Sequence, residues 1–205
     1  MTARLLLLRH GERPQIPKGS FGNDLALTEK GKRDCQSFAN KITGKVHAIM
    51  TSPVLRCMQT AQIIAKTCSL KTESITTSSL LGDPGCFIHD PKAAGRLWLE
   101  NKNTPDRVKE ILLTNSFPPD GFNDFAQTSI MLLKLMVAQM NKYNEGTILW
   151  VTHDTILAPF ASRTLTGRLA VAQWPEYLGY LEISLRNSAS VTFSYCQNGQ
   201  SETFE

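Results

Sequence analysis

Leu5-Leu6-Leu7-Leu8-Arg9-His10-Gly11-Glu12-Arg13 is the stretch that decides the fold. Four consecutive leucines carry no apolar–polar alternation, so the run fits a strand buried on both faces, as inside a parallel sheet. It stops at Arg9 and His10, side chains that a dry interior accepts only with partners. Gly11 then allows the chain to turn. In open α/β sheets the ligand crevice lies outside the carboxyl ends of the strands, and that is where Arg9 and His10 fall.

Downstream of this strand, Thr28 reads as a helix cap, with Cys35, Phe38, Ala39 and Ile42 repeating at helical spacing up to Gly44. Residues 46–50 form a second short apolar run. Ser52 and Pro53 then read as an N-cap and first-turn pair, opening a helix with Leu55, Met58 and Ile63 on its stripe. A third strand is expected between residues 74 and 81. Residues 82–121 are punctuated by Pro84, Gly85, Pro91, Gly95, Pro105, Pro118, Pro119 and Gly121. They read as an insertion folded over the core as a lid, with one short helix at residues 107–113. Residues 125–143 form a long helical pattern, apolar almost all round and so expected to be buried, with Met131, Met136 and Met140 as core fillers. Residues 147–151 give a fourth strand that runs into Thr152, His153 and Asp154, and residues 178–185 and 191–195 two last strands. Strands alternating with helices predict an α/β fold, a mostly parallel sheet flanked by helices, as a single domain over residues 1–205.

The 205 residues are 41% hydrophobic and 20% charged, enough to bury a core without disulfides or metals. The net charge of +4 comes from scattered basic residues, which argues against nucleic acid and suits a small anionic substrate. Five cysteines at wide spacing, Cys35, Cys57, Cys68, Cys86 and Cys196, indicate reduced thiols rather than a disulfide framework or zinc site. The apolar run at residues 5–8 is too short for a signal peptide or membrane span. The expectation is a cytoplasmic protein without membrane attachment.

Three clusters follow strand ends: Arg9 to Arg13, Ser52-Pro53 with Arg56, and His153-Asp154. If the strands are parallel neighbours, Arg9, Arg13, Arg56, His10, His153 and Asp154 converge. Gathered arginines repel one another, so the grouping makes sense around an anion, and guanidinium groups match phosphate oxygens in fork geometry. Arg56 would lie in a first helical turn, where the macrodipole disfavours a cation and a bound anion relieves the conflict. His10 suits a nucleophile acting through a neutral ring nitrogen, and His153 a donor to a phosphoryl oxygen. Asp154 suits an acid that protonates the leaving alkoxide and a base that then activates water.

Arg9-His10-Gly11 at a strand end resembles the signature of the histidine phosphatase (phosphoglycerate-mutase-like) superfamily. Leu27-Thr28-Glu29-Lys30-Gly31 is similar to the segment that follows it there. Ser52-Pro53-Val54-Leu55-Arg56 with Gln59-Thr60-Ala61 resembles the second arginine motif, and Thr152-His153 the second histidine. The resemblance implies hydrolysis of phosphate monoesters through a phosphohistidine on His10, with Arg9, Arg56 and His153 holding the phosphate and neither metal nor cofactor. Within that superfamily the proton donor either directly follows the second histidine, here Asp154 with Arg13 as an added phosphate ligand, or follows the third strand, here Asp83. Both remain open, with Asp154 preferred. Phosphomutase activity and a non-catalytic phospho-ligand-binding regulator are the alternatives. Substrates range from small phosphorylated molecules to phosphoproteins. His47 and His89 lie apart from the motifs, Trp150 reads as core, and nothing in the sequence places Trp98 or Trp174.

Overall fold

The computed structural model describes residues 3–17, 20, 22–187, 190–197 and 200–202. Strands β1 (Arg4–Arg9), β2 (Val46–Thr51), β3 (Ile75–Thr77) and β4 (Thr147–Thr152) are joined by β5 (Tyr180–Asn187), β6 (Ser190–Gln197) and β7 (Gln200–Glu202) in one seven-stranded sheet. The order is β3-β2-β4-β1-β5-β6-β7. β1, β2, β3 and β4 pair in parallel, and the chain then turns antiparallel from β5 onward. The mostly parallel α/β sheet expected from the sequence is the one observed.

The leucine run behaves as a two-face strand. Leu5 and Leu7 enter a core that includes Ile148, Trp150, Phe87, Val108, Leu112, Leu132 and Phe160. Leu6 and Leu8 enter the opposite core, with Ile49, Ala61, Ile64, Leu149 and Val151. Each buried leucine contributes about 1.5–3 kcal/mol of transfer free energy, so a one-residue slip of β1 would merely exchange the faces. The pairing partners and the charges at the strand end set its register.

α1 (Glu29–Lys41) and α2 (Leu55–Thr67) cover the second face. Thr28 caps α1, its Oγ1 accepting from the Gly31 amide at 2.9 Å. Gly31 lies so close to Glu12 that a Cβ there would stand 2.2 Å from the Glu12 carbonyl oxygen, so only glycine lets the first motif pack on α1. On the other face lie α3 (Pro91–Glu100), α4 (Pro105–Thr114), α5 (Phe125–Met140) and α6 (Asp154–Thr164).

Several local expectations need correction. Ser52 is not the cap of α2: Val54 holds that position without a side-chain cap, and the Ser52 hydroxyl is engaged elsewhere. Residues 82–121 contain two helices rather than one. Asp90 caps α3 by accepting from the Lys92 and Ala93 amides, with Pro91 in the first turn; Gly95 had read as a breaker but is buried within the helix. Val108, Leu112 and Leu113 of α4 join the first core, and Arg163 donates to the carbonyls of Leu112 and Asn115, closing the end of α4 against α6. α5 stops at Met140 and is buried on one side only: Ile130, Met131 and Leu135 are 56%, 39% and 42% exposed, so Met131 is not a core filler. Among the described residues no helix is long and apolar enough to cross a membrane.

Candidate active site

Register brings the motifs together. Arg9 pairs with Thr152 across β1 and β4, and Thr51 with Val151 across β2 and β4. His10, His153 and Ser52 therefore leave the sheet at one edge and at nearly one level. His10 and His153 lie edge to face with ring centroids 5.4 Å apart.

The hydrogen bonds fix both ring tautomers. His10 Nδ1 is 2.7 Å from the carbonyl of Gly11, which only accepts, so the proton sits on Nδ1. His10 Nε2 accepts from Arg56 Nε at 3.0 Å and keeps a lone pair facing the guanidinium. At His153, Nδ1 accepts from Arg56 Nη2 at 3.2 Å, which leaves Nε2–H to donate to the Ser52 hydroxyl at 2.9 Å. Arg56 Nη1 donates to the carbonyl of Gly22 at 2.6 Å. Burial, reinforced by His153, holds the His10 imidazole well below the usual histidine range. Burial and the Arg56 charge push His153 down to about 3. Both rings are neutral near pH 7.

The spacing of the second arginine motif has a mechanical reason in this chain. Thr60 Oγ1 accepts from the Gly11 amide at 3.0 Å and donates to the Arg56 carbonyl at 2.8 Å, binding the turn after β1 to α2. Gln59 Oε1 accepts from the Leu27 amide at 2.8 Å, tying α2 to the segment before α1. Gly82, at φ +145°, lies against His153: a Cβ there would stand 2.4 Å from both His153 Cδ2 and Nε2.

Arg9 is held on several sides. Its Nη1 donates to the carbonyl of Pro175 at 2.6 Å, its Nη2 pairs with Asp154 Oδ2 at 2.9 Å, and its guanidinium carbon stands 4.3 Å from the centre of the Tyr177 ring. Asp154 Oδ2 also accepts from Trp174 Nε1 at 3.1 Å, and Oδ1 from the Thr155 amide at 2.9 Å. Burial works against the Asp154 charge, but Arg9 and the Trp174 hydrogen bond prevail and lower its pKa to about 2. Arg13 is near enough to oppose protonation of His153 and the charge on Arg56. Among the described residues, the buried side-chain nitrogens or oxygens without a partner are Arg9 Nε and Arg13 Nε.

Asp83 is placed differently. It is exposed at positive φ, one residue beyond Gly82, and its Oδ1 accepts from Asn23 Nδ2 at 3.4 Å. Lys18, Gly19 and Phe21, between the first motif and α1, lie outside the described residues. Glu12 is occupied by Thr28 and Lys30. His89 is exposed, and His47 stacks on Tyr143 away from the pocket. All five cysteines are free thiols, and the described residues contain no cluster of three metal-ligating side chains. Tyr177 escaped the sequence reading, and Trp174 could not be placed from it, because neither belongs to a motif. Their only signal was an aromatic, proline-containing loop just before β5.

Comparison with known proteins follows the same outline. Residues 5–84 match the family model of the histidine phosphatase superfamily (branch 1). The match contains Arg9, His10, Arg56 and Asp83, whereas His153, Asp154, Trp174 and Tyr177 lie beyond it. No curated protein sequence matches the chain. Solved histidine phosphatase structures share the fold across nearly the whole length. Mycobacterial glucosyl-3-phosphoglycerate phosphatase superposes with a TM-score of 0.62 at 16% identity, covering 94% of this chain and 96% of that one. Phosphoserine phosphatase from Entamoeba histolytica, in complex with 3-phosphoglyceric acid, gives 0.62 at 18% identity, covering 96% and 98%. The protein histidine phosphatase SixA, complexed with tungstate, gives 0.54 at 16% identity, covering 93% of each chain.

Proposed function

We propose that this chain is a phosphomonoester hydrolase that forms a phosphohistidine on His10. One observation carries the reading: the His10 Nε2 lone pair is fixed by the Nδ1–Gly11 hydrogen bond and directed to Arg56, beside two further arginines whose buried Nε atoms lack partners. Three guanidinium groups against one carboxylate, Asp154, leave the pocket with a cationic surplus that a phosphate dianion neutralises. In that role the arginines supply the charge stabilisation that a metal provides in other phosphatases.

In the first step His10 Nε2 attacks phosphorus, the ester P–O bond breaks, and the leaving alkoxide takes a proton from an acid. In the second, a water gives a proton to the same carboxylate, its oxygen bonds to phosphorus, and the P–N bond breaks, returning neutral His10 and inorganic phosphate. A dianion bound between Arg56 and His153 raises the proton affinity of His153, so its Nδ1, which accepts from Arg56, becomes a donor only when the pocket is filled.

For the acid, the preference now reverses. A carboxylate 2.9 Å from a guanidinium and lowered to about 2 is a poor store for a proton, so Asp154 is better suited to hold Arg9. Asp83 has no cationic partner among the described residues and follows the glycine that packs on His153, so it is assigned as the donor.

The test is a panel of phosphorylated metabolites and phosphopeptides assayed with wild type and His10→Ala, each with and without EDTA. Turnover that needs His10 and survives the chelator is expected. Activity retained by His10→Ala, or lost to EDTA and restored by a divalent metal, would overturn the mechanism.

A further inference from the structure

Arg9 and Asp154 are tied down by a loop that belongs to no motif. The loop runs from the short helical turn Val171–Gln173 to β5, and three of its residues converge on this one ion pair. Pro175 accepts from Arg9 Nη1, Tyr177 lies under the guanidinium, and Trp174 donates to Asp154, the partner of Arg9 Nη2. What remains of Arg9 without a partner is its buried Nε.

We propose that Trp174 and Tyr177 form a positioning clamp that fixes Arg9 for phosphate binding. This rests on the reading of the pocket as a phosphate site. Arg side chains carry large rotamer entropy, which a mobile Arg9 would have to give up each time phosphate binds. Held by a carbonyl, a carboxylate and an aromatic face, Arg9 gives up that freedom during folding instead.

The clamp also restricts which donors meet the ligand. With Nη1 and Nη2 each bonded to protein, Arg9 approaches the phosphate through Nε–H and any remaining Nη hydrogens. Tyr177 has a second position of interest: its ring centroid is 5.8 Å from that of His10, so it stands beside the nucleophile as well as under Arg9. The ring is only partly buried, and its hydroxyl bonds to none of the described residues. The geometry therefore makes Tyr177 a wall of the pocket.

Trp174 links this clamp to the inserted segment. Lys109 of α4 stands 6.0 Å from the Trp174 ring centre, at the outer limit for a cation–aromatic attraction. The insertion thus reaches the Arg9–Asp154 pair through Lys109 and Trp174.

The experiment titrates inorganic phosphate calorimetrically into wild type, Arg56→Ala, Tyr177→Ala, Tyr177→Phe and Trp174→Phe, and measures KM and kcat on an aryl phosphate. Tyr177→Ala is expected to weaken phosphate binding about tenfold and to raise KM in parallel with kcat little changed, the scale of one desolvated cation–aromatic contact. Tyr177→Phe keeps the ring and should bind phosphate as wild type does. Trp174→Phe keeps the packing but removes the donor to Asp154, so it should weaken binding severalfold while the thermal midpoint stays near wild type. This second variant keeps the test decisive should Tyr177→Ala fail to fold. Wild-type phosphate affinity in a folded Tyr177→Ala, or in Trp174→Phe, would refute the clamp while leaving the phosphate site intact. Absence of binding to wild type itself, or equal binding by Arg56→Ala, would refute the site and the clamp with it.

Discussion

Arg9 Nη2 lies 2.9 Å from Asp154 Oδ2, so the residue that the motif order marks as a proton donor is the counter-ion of the arginine proposed to hold phosphate. The paired guanidinium favours the charged carboxylate over the protonated one. Asp154→Asn is therefore expected to raise KM and weaken phosphate binding, with alkyl and aryl phosphates affected alike.

Asp83→Asn should behave in the opposite way. Loss of a general acid slows alkyl phosphates about a hundredfold while sparing aryl phosphates, whose leaving groups need little protonation. Rates measured across leaving groups of graded basicity decide the matter. Selective loss in Asp154→Asn instead would return the acid role to Asp154.

The nucleophile can be read directly. Brief reaction with labelled substrate and an alkaline quench should leave acid-labile, base-stable label on wild type and none on His10→Ala. His153→Ala should still be labelled, but more slowly, since it removes a neighbour of Arg56 rather than the attacking atom. Label persisting on His10→Ala would mean that another group attacks phosphorus.

Gly82→Ala tests the packing behind His153. The new Cβ meets the ring at 2.4 Å, and φ +145° is unfavourable for any other residue. A cost of about 1–3 kcal/mol in stability is expected from the strained backbone alone, together with a loss of activity as His153 turns from Ser52 and Arg56. Denaturant unfolding and kcat/KM check the two effects separately.

Acid should unfold this protein through its histidines. His10 and His153 titrate below the ordinary value of about 6.5, His153 at about 3, so the unfolded chain binds protons that the folded one refuses. Stability therefore falls as pH drops below about 6.5, with a slope near 1.4 kcal/mol per pH unit for each such proton. Asp154 has its pKa lowered to about 2, so its contribution is present above the ordinary carboxylate range and lost only as pH falls from about 4 towards 2. Urea midpoints between pH 7.5 and 5 should fall steeply in wild type and less steeply in His153→Gln. Equal slopes would remove His153 from this account.

The sequence by itself determined the sheet and the residues that gather in the proposed phosphate pocket. Leu5–Leu8 fits a strand covered on both sides, and Arg9, His10, Arg56 and His153 stand at or after strand ends, so parallel pairing brings them to one edge. Those are local signals: periodicity, abrupt changes of polarity, and glycine. What the tertiary structure decided were the pairings between residues far apart in the chain. Ser52 reads as a helix cap until His153 Nε2 is found 2.9 Å from its hydroxyl, and α3 was hidden because a buried Gly95 looks like a breaker when its packing is unseen. Asp154 reads as an acid until Arg9, Trp174 and Thr155 take up its oxygens. A carboxylate's proton affinity depends on the charges and donors around it, and here the strongest of these come from β1 and from the loop before β5. No spacing within the Thr152-His153-Asp154 segment encodes them.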